Sequence, residues 1–327
     1  MSPSPTPGTA PQPDLTGLAE PPLPPIAEGV VSLHDGRRLA FVEYGDPDGD
    51  VVLWCHGTPG ARRQIPPDAP SHAVEKSIRI VGVDRPGVGD SDNDPDRSLL
   101  SWAEDVEQLM DQLEADRFAV AGLSGGGPHV LAVLHELPDR ASAGALLGGM
   151  VPLVGPDAPP STPDLLPFAL DFAHRIRGPL GATMSVLLRQ LTPEIGEASM
   201  DFALKVLPEN DRGIIGSPGF REMFVADLYG ASRNQFRAQA HDVSSFGRQW
   251  GFSPRDIAVP VRSWHGGGDS LVPIAHMEHL VDLIPDARLD TFEGEGHFAG
   301  YARAPQVLDW LMEVHRGGGS GSDTGGK

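Results

Sequence analysis

Cysteine is nearly absent from this chain: Cys55 is the only one in 327 residues. An internal disulfide framework is therefore excluded, and cysteine gives no sign of a metal site. Long apolar runs are missing as well. No stretch of about 18 apolar residues occurs, so no membrane-spanning helix is expected. Cations are scarce, with 25 Lys and Arg against 45 Asp and Glu and a formal net charge of −20. That balance argues against nucleic acid or an anionic membrane surface as a partner and favours a soluble protein. The N-terminal residues lack the basic and apolar regions of a secretory signal, and a cytoplasmic protein is expected. No internal repeat of about 20–50 residues is visible.

Glycine and proline are abundant by contrast, at 40 and 33 residues, and much of the excess lies at the two ends. Residues 1–28 carry Pro3, Pro5, Pro7, Pro11 and Pro13, then Pro21, Pro22, Pro24 and Pro25, with almost no aromatic or β-branched residues. Such a stretch buries too little surface to order itself, and a disordered or polyproline-like arm is expected. Residues 317–327 read as a flexible Gly/Ser tail.

Between these ends the chain reads as a mostly parallel sheet flanked by helices. Gly29 to Leu33 and Arg37 to Tyr44 are β-like and meet at Asp35-Gly36, a hairpin signal. Val51 to Cys55 and Ile78 to Val83 are unbroken apolar runs, as buried parallel strands show. Each stops in a glycine-rich loop: His56-Gly57-Thr58-Pro59-Gly60 and Asp84-Arg85-Pro86-Gly87-Val88-Gly89-Asp90-Ser91. Ser101 with Glu104 spells a capping box ahead of a helix, and Ala143 to Val151 reads as a further strand. From 152 to 255 strand-like runs vanish and helical starts appear at Thr162-Pro163, Thr192-Pro193 and Ser217-Pro218. The expected organisation is thus an α/β core of residues 29–151 and 256–316, with a helical cap of 152–255 inserted after the sixth strand. After the cap come a strand near Val259 to Trp264, a helix over 273–284, a strand over 287–292 and a helix over 304–315.

Residues 118–128 carry the chemistry. The apolar run Phe118 to Ala121 breaks into Gly122-Leu123-Ser124-Gly125-Gly126 and resumes as a helical pattern through Val130, Leu131, Val133 and Leu134. The spacing G-x-S-x-G places Ser124 at the apex of a strand-turn-helix with room for no side chain two residues away. Glycine-rich turns also bind phosphate, but neither G-x-G-x-x-G nor a following Gly-Lys-Ser/Thr is present.

An activated serine needs a base and a group that orients the base, in the chain order serine, acid, histidine. Ser124, Asp269 and His297 meet that order, and the last two sit in loops directly after consecutive expected strands. Among the twelve histidines, His265 is the nearest rival but precedes the acid. His129 is expected to pack or hydrogen-bond locally, and Asp105 and Asp92 are the competing acids. The oxyanion donors expected are the amides of Gly125 and Thr58, because Pro59 has no N–H.

His-Gly-Thr-Pro-Gly, Asp-Arg-Pro-Gly-Val-Gly-Asp-Ser, Gly-Leu-Ser-Gly-Gly-Gly, His-Gly-Gly-Gly-Asp and Gly-Glu-Gly-His, in that order, resemble the α/β-hydrolase superfamily. The likeness is to its capped serine hydrolases with an HG-x-P oxyanion loop, the esterase and proline-iminopeptidase-like branch. It runs from about residue 29 to 315. The resemblance implies cleavage of an ester, thioester or lactone through an acyl-enzyme, on a small-molecule substrate with an apolar group and with neither cofactor nor metal. The same triad also serves aminopeptidases, amidases and carbon–carbon bond hydrolases, and the fold serves ligand-binding proteins without catalysis. Proline iminopeptidases usually carry tryptophan after the nucleophile, where this chain has Gly125. Their substrate amine would need an acidic anchor in the cap, such as Glu194, Glu197 or Asp201.

Overall fold

A computed structural model describes residues 15–162, 209–232 and 237–317. Its centre is an eight-stranded sheet in the order β1-β2-β4-β3-β5-β6-β7-β8. The strands are β1 (Ala27–Ser32), β2 (Arg38–Gly45), β3 (Asp50–Cys55), β4 (Ile78–Val83), β5 (Phe118–Leu123), β6 (Ala141–Leu147), β7 (Val261–Gly266) and β8 (Ala287–Phe292). β1 pairs β2 and β2 pairs β4 antiparallel, whereas every pair from β4 to β8 is parallel. This is the α/β architecture expected from the unbroken apolar runs.

Strand periodicity explains why those runs are unbroken. Val51, Leu53 and Cys55 of β3 face one apolar layer, and Val52 and Trp54 face the other. Phe118 and Val120 of β5 alternate with Ala119 and Ala121 in the same way. Both faces are covered, so both must be apolar. The first layer is closed by α3 (Leu99–Gln112), α4 (Gly127–Glu136) and the helix Ile274–Leu283. The second is closed by α2 (Ala69–Lys76) and the helix Ala304–Gly317. Three α-helices between β6 and β7 are described: α5 (Glu209–Ile215), α6 (Pro218–Ser232) and α7 (Arg237–Phe246). α6 starts at the expected Ser217-Pro218; the starts at Thr162-Pro163 and Thr192-Pro193 run into residues outside those described.

Several boundaries differ from the sequence-based expectation. The cap of α3 is Ser98, with Ser101 at the third helical position, because the two serines exchange side-chain to backbone bonds of 2.8 and 3.0 Å. The sixth strand ends at Leu147 and not at Val151. α2 was not anticipated, since only Ala69, Pro70 and Ala73 of its eight residues are buried.

Residues 15–28, within the arm expected to be disordered, are ordered. Thr16–Ala19 forms a helical turn (α1), and Leu18 is fully buried beside Phe220 and Met223. A Cβ on Gly219 would fall 2.1 Å from the Glu20 carbonyl, so α6 presents a bare backbone on which residues 18–20 rest. The apolar surface that orders this segment comes from about two hundred residues downstream, beyond the reach of local composition.

Candidate active site

β3, β5, β6, β7 and β8 end at one edge of the sheet, and the loops that follow them build the site. Ser124 opens a tight turn between β5 and α4 with φ of +50°, the left-handed region that non-glycine residues enter at a cost of roughly 1–3 kcal/mol. The flanking glycines are sterically required. A Cβ on Gly126 would lie 2.3 Å from the Cys55 carbonyl, and one on Gly122 would lie 2.6 Å from Val130 Cγ2. The turn is thereby pressed against the end of β3, and the serine projects from it half-buried.

The acid and the histidine are brought together. His297 Nδ1 and Asp269 Oδ2 are 2.8 Å apart, and both residues are buried. The other carboxylate oxygen of Asp269 accepts the N–H groups of Leu271 at 2.8 Å and Val272 at 2.9 Å. Burial raises the pKa of Asp269, but the hydrogen bond and charge of His297 and the Val272 N–H outweigh it, so the carboxyl lies below its usual range. Phe298 meets the His297 ring edge to face at 5.4 Å, and the ring packs on the bare Cα of Gly148. Ser124 and His297 both line a cavity of about 200 Å³.

The expected rivals are committed elsewhere. Asp105 receives both terminal nitrogens of Arg37 at 2.9 and 2.6 Å, and Asp92 pairs with Arg38. His265 stands behind Asp269, with Nε2 bound to the Val272 carbonyl at 2.8 Å. His129 bonds the Gly125 carbonyl through Nδ1 at 3.0 Å, and burial together with the Arg85 charge pushes its pKa down to about 3.

The loop after β3 lies against the serine turn. A Cβ on Gly125 would fall 2.6 Å from Thr58 Oγ1 and 2.9 Å from Phe246, so no larger residue fits there. Thr58-Pro59 is a cis peptide. Two residues not singled out from sequence hold this loop. Gln64 accepts the Gly57 N–H at 2.6 Å and donates to the Pro59 carbonyl at 3.0 Å. Arg85, 1 % exposed, donates to the carbonyls of His56 and Gly57 and to Thr58 Oγ1, the last at 2.9 Å. Burial and the Arg85 charge keep His56 well below its usual pKa, and its Nδ1–H donates to the Gly57 carbonyl at 2.8 Å. Arg85 belongs to a motif visible in the sequence, but its target becomes evident only in three dimensions.

The rest of the cavity is apolar. Phe220, Phe224 and Ile215 enter it from α5 and α6, Leu271 and Phe298 from the loops after β7 and β8. A serine hydroxyl and an imidazole at one cavity, with a buried carboxylate bonded to the imidazole, are the parts a nucleophile, a base and an orienting group require. Among the described residues no helix is long and apolar enough to cross a membrane.

Comparison with known proteins agrees with this architecture. The chain is 28% identical over 282 residues to 2-hydroxy-6-oxo-6-phenylhexa-2,4-dienoate hydrolase of Comamonas testosteroni, covering 81% of this chain and 89% of that protein. It is 30% identical to proline iminopeptidase of Arabidopsis thaliana, but over only 39% of this chain and 34% of that one. A thermophilic esterase from Thermogutta terrifontis superposes with a TM-score of 0.59 at 19% identity, covering 88% and 99% of the two chains, and shares the fold. A family model of the alpha/beta hydrolase fold matches residues 50–303, and the chain belongs to that family.

Proposed function

We propose that this protein is a serine hydrolase that cleaves a carboxylic ester, thioester or lactone through an acyl-enzyme. The observation that carries the reading is the 2.8 Å bond between His297 Nδ1 and Asp269, with His297 and Ser124 on one cavity. That bond leaves Nε2 of the imidazole to take the hydroxyl proton. Ser124 Oγ attacks the carbonyl carbon as His297 removes its proton, and the Gly125 and Thr58 amides receive the developing oxyanion. Collapse breaks the bond to the leaving oxygen or sulfur, which takes the proton from His297. Water, deprotonated by the same imidazole, then cleaves the acyl-enzyme and restores Ser124.

The residues 152–255 act in this reading as a cap, whose described helices supply the apolar side of the cavity. The lining favours an uncharged substrate with an apolar acyl or alcohol group. Among the described lining residues there is neither a carboxylate for a substrate amine nor a cation for a substrate carboxylate. The acidic residues proposed as amine anchors, Glu194, Glu197 and Asp201, lie outside the described residues. A second reading, hydrolysis of a carbon–carbon bond, draws support from the relative matched over 81% of this chain.

The test is turnover of short- and medium-chain p-nitrophenyl esters by the protein and by Ser124→Ala, with fluorophosphonate labelling of both. Turnover and labelling of the wild type alone are expected. Labelling without ester turnover would redirect the search to amides and carbon–carbon substrates. Absence of labelling in folded protein would overturn the serine nucleophile and favour a binding protein on the same fold.

A further inference from the structure

Three carboxylates on successive helices of the segment between β6 and β7 are almost wholly buried: Asp211 at 2 %, Asp227 at 1 % and Asp242 at 2 % exposure. Each reaches a loop at the strand ends. Asp211, on α5, accepts the backbone N–H groups of His297 and Phe298, both at 3.0 Å, one on each oxygen. Asp227, on α6, accepts those of Ala61 at 2.8 Å and Arg63 at 3.1 Å, just beyond Gly60. Asp242, on α7, takes Arg85 Nε and Nη2 on one oxygen at 3.1 and 2.9 Å and Arg97 Nη2 on the other at 2.8 Å. Arg85 in turn grips the carbonyls of His56 and Gly57 and the hydroxyl of Thr58.

Anchoring helices to a sheet does not need buried ions. Apolar contacts do it without the desolvation that a buried carboxylate incurs. The targets are also selective. Asp211 holds the loop that presents His297, Asp227 the continuation of the loop that presents Thr58, and Asp242 the Thr58 loop itself through Arg85. Two carboxylate oxygens bonded to two consecutive or alternate N–H groups fix the orientation of a peptide plane as well as its distance, which an apolar contact cannot do. Local sterics agree, since a Cβ on Gly296 would fall 2.2 Å from Asp211 Oδ2.

We propose that Asp211, Asp227 and Asp242 are positioning residues that clasp the backbone of the loops carrying His297 and Thr58. Helices α5 to α7 are then a fixed part of the active site and not a lid that swings free during turnover. The catalytic consequence rests on the serine-hydrolase reading; the clasp itself does not.

The experiment uses the full chain and the variants Asp211→Asn, Asp227→Asn and Asp242→Asn, each of which keeps the side-chain volume and replaces one acceptor oxygen by an amide donor. With p-nitrophenyl esters, kcat is expected to fall roughly 10- to 100-fold while KM stays within about twofold, the signature of misplaced catalytic groups. A purely structural anchor would lower Tm and leave kcat per folded molecule unchanged. Hydrogen exchange supplies a readout independent of activity. In the wild type the amides of Ala61, Arg63, His297 and Phe298 are expected to be as protected as those of β5. In Asp211→Asn and Asp227→Asn their own loops should exchange at least about tenfold faster while β5 is unaffected. Loop amides that exchange freely in the wild type, or folded variants with kcat within about twofold of wild type and unchanged exchange, would overturn the clasp. Loosened loops in a protein that neither turns over esters nor takes the fluorophosphonate would uphold the clasp and sink the hydrolase reading instead.

Discussion

The strands beneath the site and the helices above it are held in place by different physics. β3 and β5 are pinned by apolar packing on both faces, with Phe118, Val120 and Leu53 fully buried. α5, α6 and α7 carry apolar groups too, yet their bonds to the site loops run through Asp211, Asp227 and Asp242. Dispersion and the hydrophobic effect are non-directional, so the strands tolerate small shifts that the paired carboxylates do not. The lower layer therefore supplies stability, and the upper one supplies orientation.

Substitutions in the two layers should part accordingly. The largest effect is expected where they meet. Ser124→Ala should lower ester turnover by roughly 10⁴-fold or more with the unfolding midpoint little changed, because only the proposed nucleophile is removed. Asp269→Asn should cost about 10³- to 10⁴-fold in kcat, since the amide no longer fixes the imidazole tautomer. In the sheet, Phe118→Ala should destabilise by about 3–5 kcal/mol in denaturant titration through the cavity it leaves. Activity per folded molecule should survive; its loss would show that the sheet also orients the site.

Acid titration separates the upper aspartates from one another. Burial raises the pKa of Asp242, but the charges of Arg85 and Arg97 more than offset it, so the folded value lies below the usual carboxylate range. A depressed carboxyl contributes stability above its unfolded pKa and loses it as pH falls through the folded one. Asp242→Asn should therefore be most destabilising at neutral pH, with the gap to wild type closing below about pH 4. Asp227 is shifted the other way, well above 3.8, chiefly by burial, with the Ala61 N–H opposing and the Asp84 charge adding to the rise. Its contribution is present at low pH and is lost as pH rises through the folded value. Asp227→Asn should accordingly be milder than Asp242→Asn, and the gap to wild type should shrink or reverse between acid and alkaline pH. Denaturant midpoints for both variants across that range test the contrast; parallel curves would refute it.

The same contrast decides what could be read before the structure. Ser124, Asp269 and His297 were legible because each lies just past an apolar strand run, and strand ends of a parallel sheet share one edge. Asp105 could be set aside only once Arg37 was seen beside it. Ser98 caps α3 in place of the expected Ser101, a choice that depends on where the backbone turns. α2, with three buried side chains in eight residues, leaves little periodic signal in the sequence. Asp211, Asp227 and Asp242 were invisible in a stricter sense. A carboxylate on a helix has the same sequence signature whether it faces water or a buried N–H.

What the sequence determined by itself is local: apolar runs long enough to be buried on both faces, glycines where a turn admits no Cβ, and a serine, an acid and a histidine at successive strand ends. Tertiary structure decided the partners of the buried charges around the site. Leu18 is ordered by Phe220, and Arg85 finds its counter-ion 157 residues away at Asp242. Those pairings depend on which surfaces the finished sheet brings face to face. The periodicity of a single segment carries no information about them.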